Sequence, residues 1–317
     1  MSFDEDNPLP PEPAKEPSAS ASSTPSFEIE PAHSAESSAA ESVLGTAASA
    51  PGAPSYLEPP RSVLPDDLRV PWNWADIFLL VAVAIGGGIL ISFAVMAGLS
   101  MFGIQVLRLL RESPEKLNQL NVIIQVFLDL GILAYLAAQI RLRFHSPFWR
   151  TIGWRPLEPA KISRGAAYIA LVLAGFLLSF VVSIASNIFP PQKELPIQAL
   201  LQDRYTALLF ILVAVLVAPV VEETVFRGYL YPVAARSFGK AWGIIVTGTL
   251  FGLLHASQLW GGWGQIALLV VVGIALTYVR AVSRSVVASF ILHTSYNSLQ
   301  VLALLISTHG LRHFPAN

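Results

Sequence analysis

No cysteine occurs among the 317 residues of the chain. That absence excludes disulfides, thiol nucleophiles and cysteine metal sites. Charge is scarce as well. Asp, Glu, Lys and Arg together make up 13% of the chain, against about 25% in an ordinary soluble domain. The formal net charge is -1. There is no basic excess to hold a nucleic acid, and none is expected as a partner. The zinc-protease signature H-E-x-x-H is missing. No internal repeat is present.

Apolar residues are abundant instead, at 54% of the chain. They fall in runs of about 20, the length that spans a bilayer as a helix. The expected fold is an all-α polytopic integral membrane protein with its active site in the helical core. Spans are expected near 74–103, 120–140, 166–188, 205–236, 241–258, 265–279 and 285–307. The count is therefore seven, or eight if the long first span holds two helices.

Residues 1–70 are rich in Pro, Ser, Ala and Glu. Such a segment buries too little surface to offset its chain entropy, so a disordered acidic tail is expected. It has no basic start followed by an apolar core, so it does not read as a signal peptide. Residues 71–165 form N-terminal helices and a basic loop, 166–310 the core, and 311–317 a short tail. Trp72 and Trp74 suit the membrane interface, as do Trp260 and Trp263. Gly86, Gly87 and Gly88 would allow a close helix approach or a bend. Gln125 and Asp129, four residues apart, share a helix face. Their expected role is a hydrogen-bonded pair, with a polar cavity lining as the alternative. Tyr229 and Tyr231 read as packing or interfacial residues, and His309 and His313 as surface ones.

Orientation follows from Lys and Arg near the span ends. One side carries twelve: Arg61, Arg69, the six between Arg141 and Arg164, Arg236, Lys240, Arg280 and Arg284. The other carries six: Arg108, Arg111, Lys116, Lys193, Arg204 and Arg312. The N-terminus is expected to be cytoplasmic, in a plasma or inner membrane.

The polar residues that break the apolar runs matter most. Glu222, Glu223 and Arg227 end the run LLFILVAVLVAPVV. Charge at bilayer depth is costly unless paired or hydrated, which makes such residues functional-site candidates. If the fourth and fifth spans turn near Phe238 and Gly239, Glu222 and His255 lie at one level, each roughly 24 Å from the turn. His293 and Asn297 lie roughly 15–21 Å beyond a turn near Ser283, in the same plane. Glu223 and Arg227 share a face and are expected to pair. Glu222 points elsewhere and is left for chemistry. A carboxylate beside an imidazole activates water. A second His and an amide supply donors to an oxyanion. The same Glu and two His are also a known zinc ligand set. A salt-bridged helix end at the interface is the competing reading of Glu222, Glu223 and Arg227. A proton-coupled transporter and a non-catalytic scaffold or immunity factor also fit buried Glu and His.

These residues resemble a known family. E-E-x-x-x-R at Glu222, Glu223 and Arg227, F-x-x-x-H at Phe251 and His255, and H-x-x-x-N at His293 and Asn297 are similar to the motifs of the CAAX-protease and bacteriocin-processing intramembrane proteases. The resemblance covers residues 196–306. It implies an intramembrane endopeptidase acting on a peptide or protein substrate within the lipid bilayer; eukaryotic members trim prenylated CAAX proteins. Carried across, Glu222 and His255 activate water, His293 and Asn297 form the oxyanion site, Phe251 supports them, and Glu223 and Arg227 are structural partners. The family has been described both as metal-independent and as metallo-type. No cofactor is favoured here; zinc, held by Glu222, His255 and His293, is the alternative.

Overall fold

The computed structural model describes residues 64–103, 113–191 and 194–312. The tail up to residue 63, Arg108, Arg111, Lys193 and His313 lie outside the described residues. Those described form helices and turns, with no strand among them. Among the described residues, six helices have the length and apolarity to cross a membrane: α1 (Trp74–Met101), α2 (Glu115–Arg143), α3 (Arg164–Ile188), α4 (Arg204–Phe238), α6 (Trp263–Ser283) and α7 (Val286–Ser307). The expected fifth span is a shorter apolar helix, α5 (Lys240–Leu254), of 15 residues. At 1.5 Å per residue it reaches about 22 Å, against a hydrocarbon core of about 30 Å. Against the seven or eight spans expected, the described residues thus hold six long apolar helices and one short one. The first span is a single unbroken helix rather than two.

Helix α4 is long but not uniform. Its hydrogen bonding widens into π-type turns at Val213–Val217 and Glu223–Leu230. Each wide turn contains the residue four positions before a proline: Val215 before Pro219 and Gly228 before Pro232. A proline has no N–H to return and its ring crowds the carbonyl four residues back, so the helix opens there. The five residues Ala218–Glu222 between the wide turns are ordinary helix. Glu222 is the last of them. Gly239, with φ 81°, ends α4 and reverses the chain into α5.

Helices α5 and α6 pack through glycines. A Cβ on Gly248 would come within 2.5 Å of the Ile274 backbone nitrogen, and one on Gly252 within 2.7 Å of the Val270 nitrogen. The spacing of four puts both on one face, a small-xxx-small contact of the membrane type. Gly273 of α6 meets the Gly248 carbonyl in return. Gly86, Gly87 and Gly88 lie inside the unbroken α1, and Gly87 and Gly88 face the Leu128 side chain of α2.

The N-terminal boundary differs from expectation. Residues 64–72, of which the tail was to include those up to 70, are fastened to the helices. Leu68 and Val70 are buried. Arg236 donates to the carbonyls of Val70 and Trp72 at 2.9 and 2.8 Å. Arg280 donates to Asp67 at 2.9 Å. Trp72, expected at the interface, has no exposed surface. It stacks on Tyr229 at 4.8 Å and donates its indole N–H to the Tyr229 carbonyl at 2.8 Å. The reason is competition: a buried carbonyl in a wide turn needs a donor, and the indole supplies one together with a large apolar face. Trp260 and Trp263 stay exposed, edge to face at 5.1 Å.

The glycine contact yields a test. Gly252→Val forces α5 from α6 and is expected to cost about 1–3 kcal/mol, the range for overpacking a tight contact. Thermal unfolding in detergent measures it; an unchanged midpoint would mean that α6 yields freely.

Candidate active site

Three helices and one helix end bring the charged residues together. Glu223 and Arg227 lie one turn apart on α4 and both have no exposed surface. Arg227 Nη1 stands 3.1 Å from Glu223 Oε1. Its Nη2 donates to the Gly273 carbonyl of α6 at 3.0 Å. The guanidinium lies over the Phe251 ring, 4.3 Å from the centroid. The buried cation is thus paired, hydrogen-bonded and stacked.

Phe251 is the hub of this cluster. Its ring meets Phe226 edge-on at 5.4 Å, His293 edge-on at 5.7 Å and His255 at 5.1 Å. One aromatic ring thus fixes the position of Arg227 and of both imidazoles.

Glu223 does more than pair with arginine. Its Oε1 also accepts from His293 Nδ1 at 2.9 Å. A buried carboxylate paired with Arg227 accepts only, so the proton of that bond belongs to His293 Nδ1. His255 Nδ1 likewise donates to the Phe251 carbonyl at 3.0 Å. His255 caps the C-terminal end of α5, where unpaired carbonyls are available. Both imidazoles therefore present Nε2 to a common point, and Glu222 is there. Its Oε1 is 3.7 Å from His255 Nε2 and its Oε2 is 3.8 Å from His293 Nε2. Glu222 and His255 keep about one fifth of their side-chain surface exposed, while His293 keeps 5%.

Asn297 lies one turn beyond His293 on α7. Its Nδ2 donates to the Ala214 carbonyl at 2.8 Å, inside the first wide turn of α4. Sequence reasoning did not anticipate this partner, nor the Glu223–His293 bond. The signals were present in Pro219, which frees a carbonyl upstream, and in an acid with two candidate partners. Glu222, His255 and His293 are thus brought face to face, with Asn297 bonded to the backbone of the same helix that carries Glu222.

Glu222, His255 and His293 have the donor chemistry of a zinc site. Among the described residues, however, no group of three or more His, Asp or Glu side chains is arranged to hold a metal ion.

Arg227 gives a second test. Arg227→Met leaves Glu223 charged and buried, and is expected to cost about 3 kcal/mol, the low end for a broken buried pair. Adding Glu223→Gln removes that charge and should recover part of the loss. Thermal unfolding of the single and double variants decides; equal loss in both would show that packing, not charge, is at stake.

Comparison with known proteins bears on the same segment. No curated protein and no solved structure matches the chain. Residues 204–299, which run from the start of α4 into α7 and hold every residue of the site, match the family model for Rce1-like type II CAAX prenyl endopeptidases. Residues 204–299 of this helical chain are thus similar to the Rce1-like CAAX-type proteases, and they lie among helices long and apolar enough to cross a membrane.

Proposed function

We propose that the chain is an intramembrane endopeptidase that cleaves by water activated between Glu222 and His255, with His293 and Asn297 receiving the oxyanion. One observation carries this reading: the two oxygens of Glu222 face two imidazole nitrogens at 3.7 and 3.8 Å. Those gaps are too long for a direct hydrogen bond and suit a water held at about 2.8 Å from each atom.

The chemistry then follows from the partners. Glu222 takes a proton as the water oxygen attacks the peptide carbonyl. In the reaction as proposed, His293 is oriented by Glu223 at its Nδ1 and turns Nε2–H toward the new oxyanion. Asn297 has one N–H on Ala214 and a second for the same oxygen. The proton on Glu222 passes to the departing amine as the C–N bond breaks. Phe251, Glu223 and Arg227 hold the geometry. The substrate is a peptide or protein close to the membrane, of prenylated CAAX type or another small membrane-associated kind. The N-terminus is cytoplasmic, a reading supported by the twelve-to-six division of Lys and Arg.

The test is cleavage by purified protein in liposomes, with a prenylated CAAX peptide and an unbiased peptide library. Glu222→Gln is expected to lose about 10²–10⁴-fold, the range of a general base, while chelation leaves the wild type active. Loss on chelation with rescue by zinc would replace this reading with a metal one. Full biological function in Glu222→Ala would mark a scaffold instead. Asn297→Ala is expected to lower kcat about 10²–10³-fold with KM little changed, as for a lost oxyanion donor. A rise in KM alone would make Asn297 a binding residue.

A further inference from the structure

The loop between α2 and α3 reaches the flank of the site. After Pro147 comes a short helical turn, Phe148–Thr151, and Gly153, with φ 95°, then reverses the chain. The reversal brings Trp154 back against Trp149, ring edge to ring face at 5.7 Å. The Trp154 backbone N–H donates to the Trp149 carbonyl at 2.9 Å. Residues 152–155 then meet two helices at once. Ile152, buried, lies on Gly228 of α4, where a Cβ would come within 2.8 Å of the Ile152 carbonyl oxygen. The Gly153 carbonyl accepts from the Val286 N–H at the start of α7, at 2.9 Å. The Arg155 carbonyl accepts from the Ser285 hydroxyl just before it.

Trp154 joins the same two helices closer to the site. Its indole N–H donates to Thr224 Oγ1 of α4 at 3.0 Å, and its ring lies against Phe290 of α7 at 5.2 Å. Thr224 has no exposed surface and follows Glu223 in the chain. Phe290 is three residues before His293, on the same face of α7. Glu223 and His293 are the pair that meets between these helices at 2.9 Å, and Glu222 Oε2 faces His293 Nε2 at 3.8 Å beside them. Thr224 also stands in the second wide turn of α4. Pro232 returns no N–H there, so the turn takes part of its shape from what is packed on it.

We propose that Trp154 is a positioning residue for hydrolysis. By joining Thr224 to Phe290 it sets the separation of α4 and α7, and with it the gap between Glu222 and His293. The proposal rests on the hydrolytic reading above, in which that gap holds the reacting water. Trp154 acts through its two neighbours, and its effect falls on rate. A misplacement of about 1 Å at the reacting groups costs up to about 10²-fold, even when its origin is remote from them.

The experiment is cleavage of the peptide library by the full chain in liposomes, with thermal unfolding of the same samples. Trp154→Phe keeps a ring against Phe290 and removes the N–H. Thr224→Val removes the acceptor from the other side. Each is expected to lower kcat per folded molecule about 10–100-fold, with KM and the unfolding midpoint little changed. The double variant should fall no further than the worse single one, because both remove one bond. Thr224→Val decides the matter even if Trp154→Phe fails to fold. A loss of rate that only follows a loss of folded protein makes Trp154 a core residue and overturns the proposal. So does an unaltered kcat, a rise in KM alone, or losses that multiply in the double variant. Glu222→Gln runs alongside: if it cleaves like the wild type, the hydrolytic reading fails, whatever Trp154 does.

Discussion

A guanidinium with no exposed surface sets the terms for the rest of the molecule. Arg227 cannot be left in hydrocarbon without partners, and each partner fixes an element. Glu223 fixes the turn of α4, the Gly273 carbonyl fixes α6, and the Phe251 ring fixes α5. The glycine contact between α5 and α6 lets both come close enough to reach it. Glu223 then extends the chain of contacts to His293 on α7. The site is assembled around one cation that takes no direct part in the proposed chemistry.

Two prolines decide where on α4 this cation and the candidate base fall. The helix widens upstream of Pro219 and again upstream of Pro232, leaving Ala218–Glu222 as a short regular stretch between. Adjacent carboxylates thereby enter different surroundings. Glu223 is inside the second wide turn and fully buried, whereas Glu222 keeps a solvent-accessible edge. Wide turns concentrate at functional sites because they redirect side chains and release backbone groups. Here the released Ala214 carbonyl is taken by Asn297. The opening of the helix is thus coupled to the motif on α7.

Much of this was legible in the sequence. Apolar runs mark the spans, and spacings of four mark Glu223 with Arg227, Phe251 with His255 and His293 with Asn297. What sequence spacing does not carry is a contact chosen among alternatives. Glu223 has both Arg227 and His293 within reach, and only the packing of α7 on α4 brings the second. Trp72 looks like an interface residue because its neighbours are polar; the carbonyl of Tyr229, more than 150 positions away, draws it inside. Helix α5 is shorter than expected: it ends at Leu254, and residues 255–258, which the expected span included, form turns.

That early end of α5 has a consequence for the surrounding lipid. A bilayer matched to the long helices is too thick for α5, and mismatch is relieved by thinning or by polar backbone at hydrocarbon depth, at fractions of a kcal/mol per Å. The segment after Leu254 is irregular, and Ile197 donates to its Gln258 carbonyl. Irregular backbone of this kind persists only against protein or water. His255 stands where it begins. A bilayer that thins to match α5 would be shallowest beside the residue that faces Glu222, and lipid tail length would then be a physical variable of the site, on a par with pH or salt for a soluble enzyme.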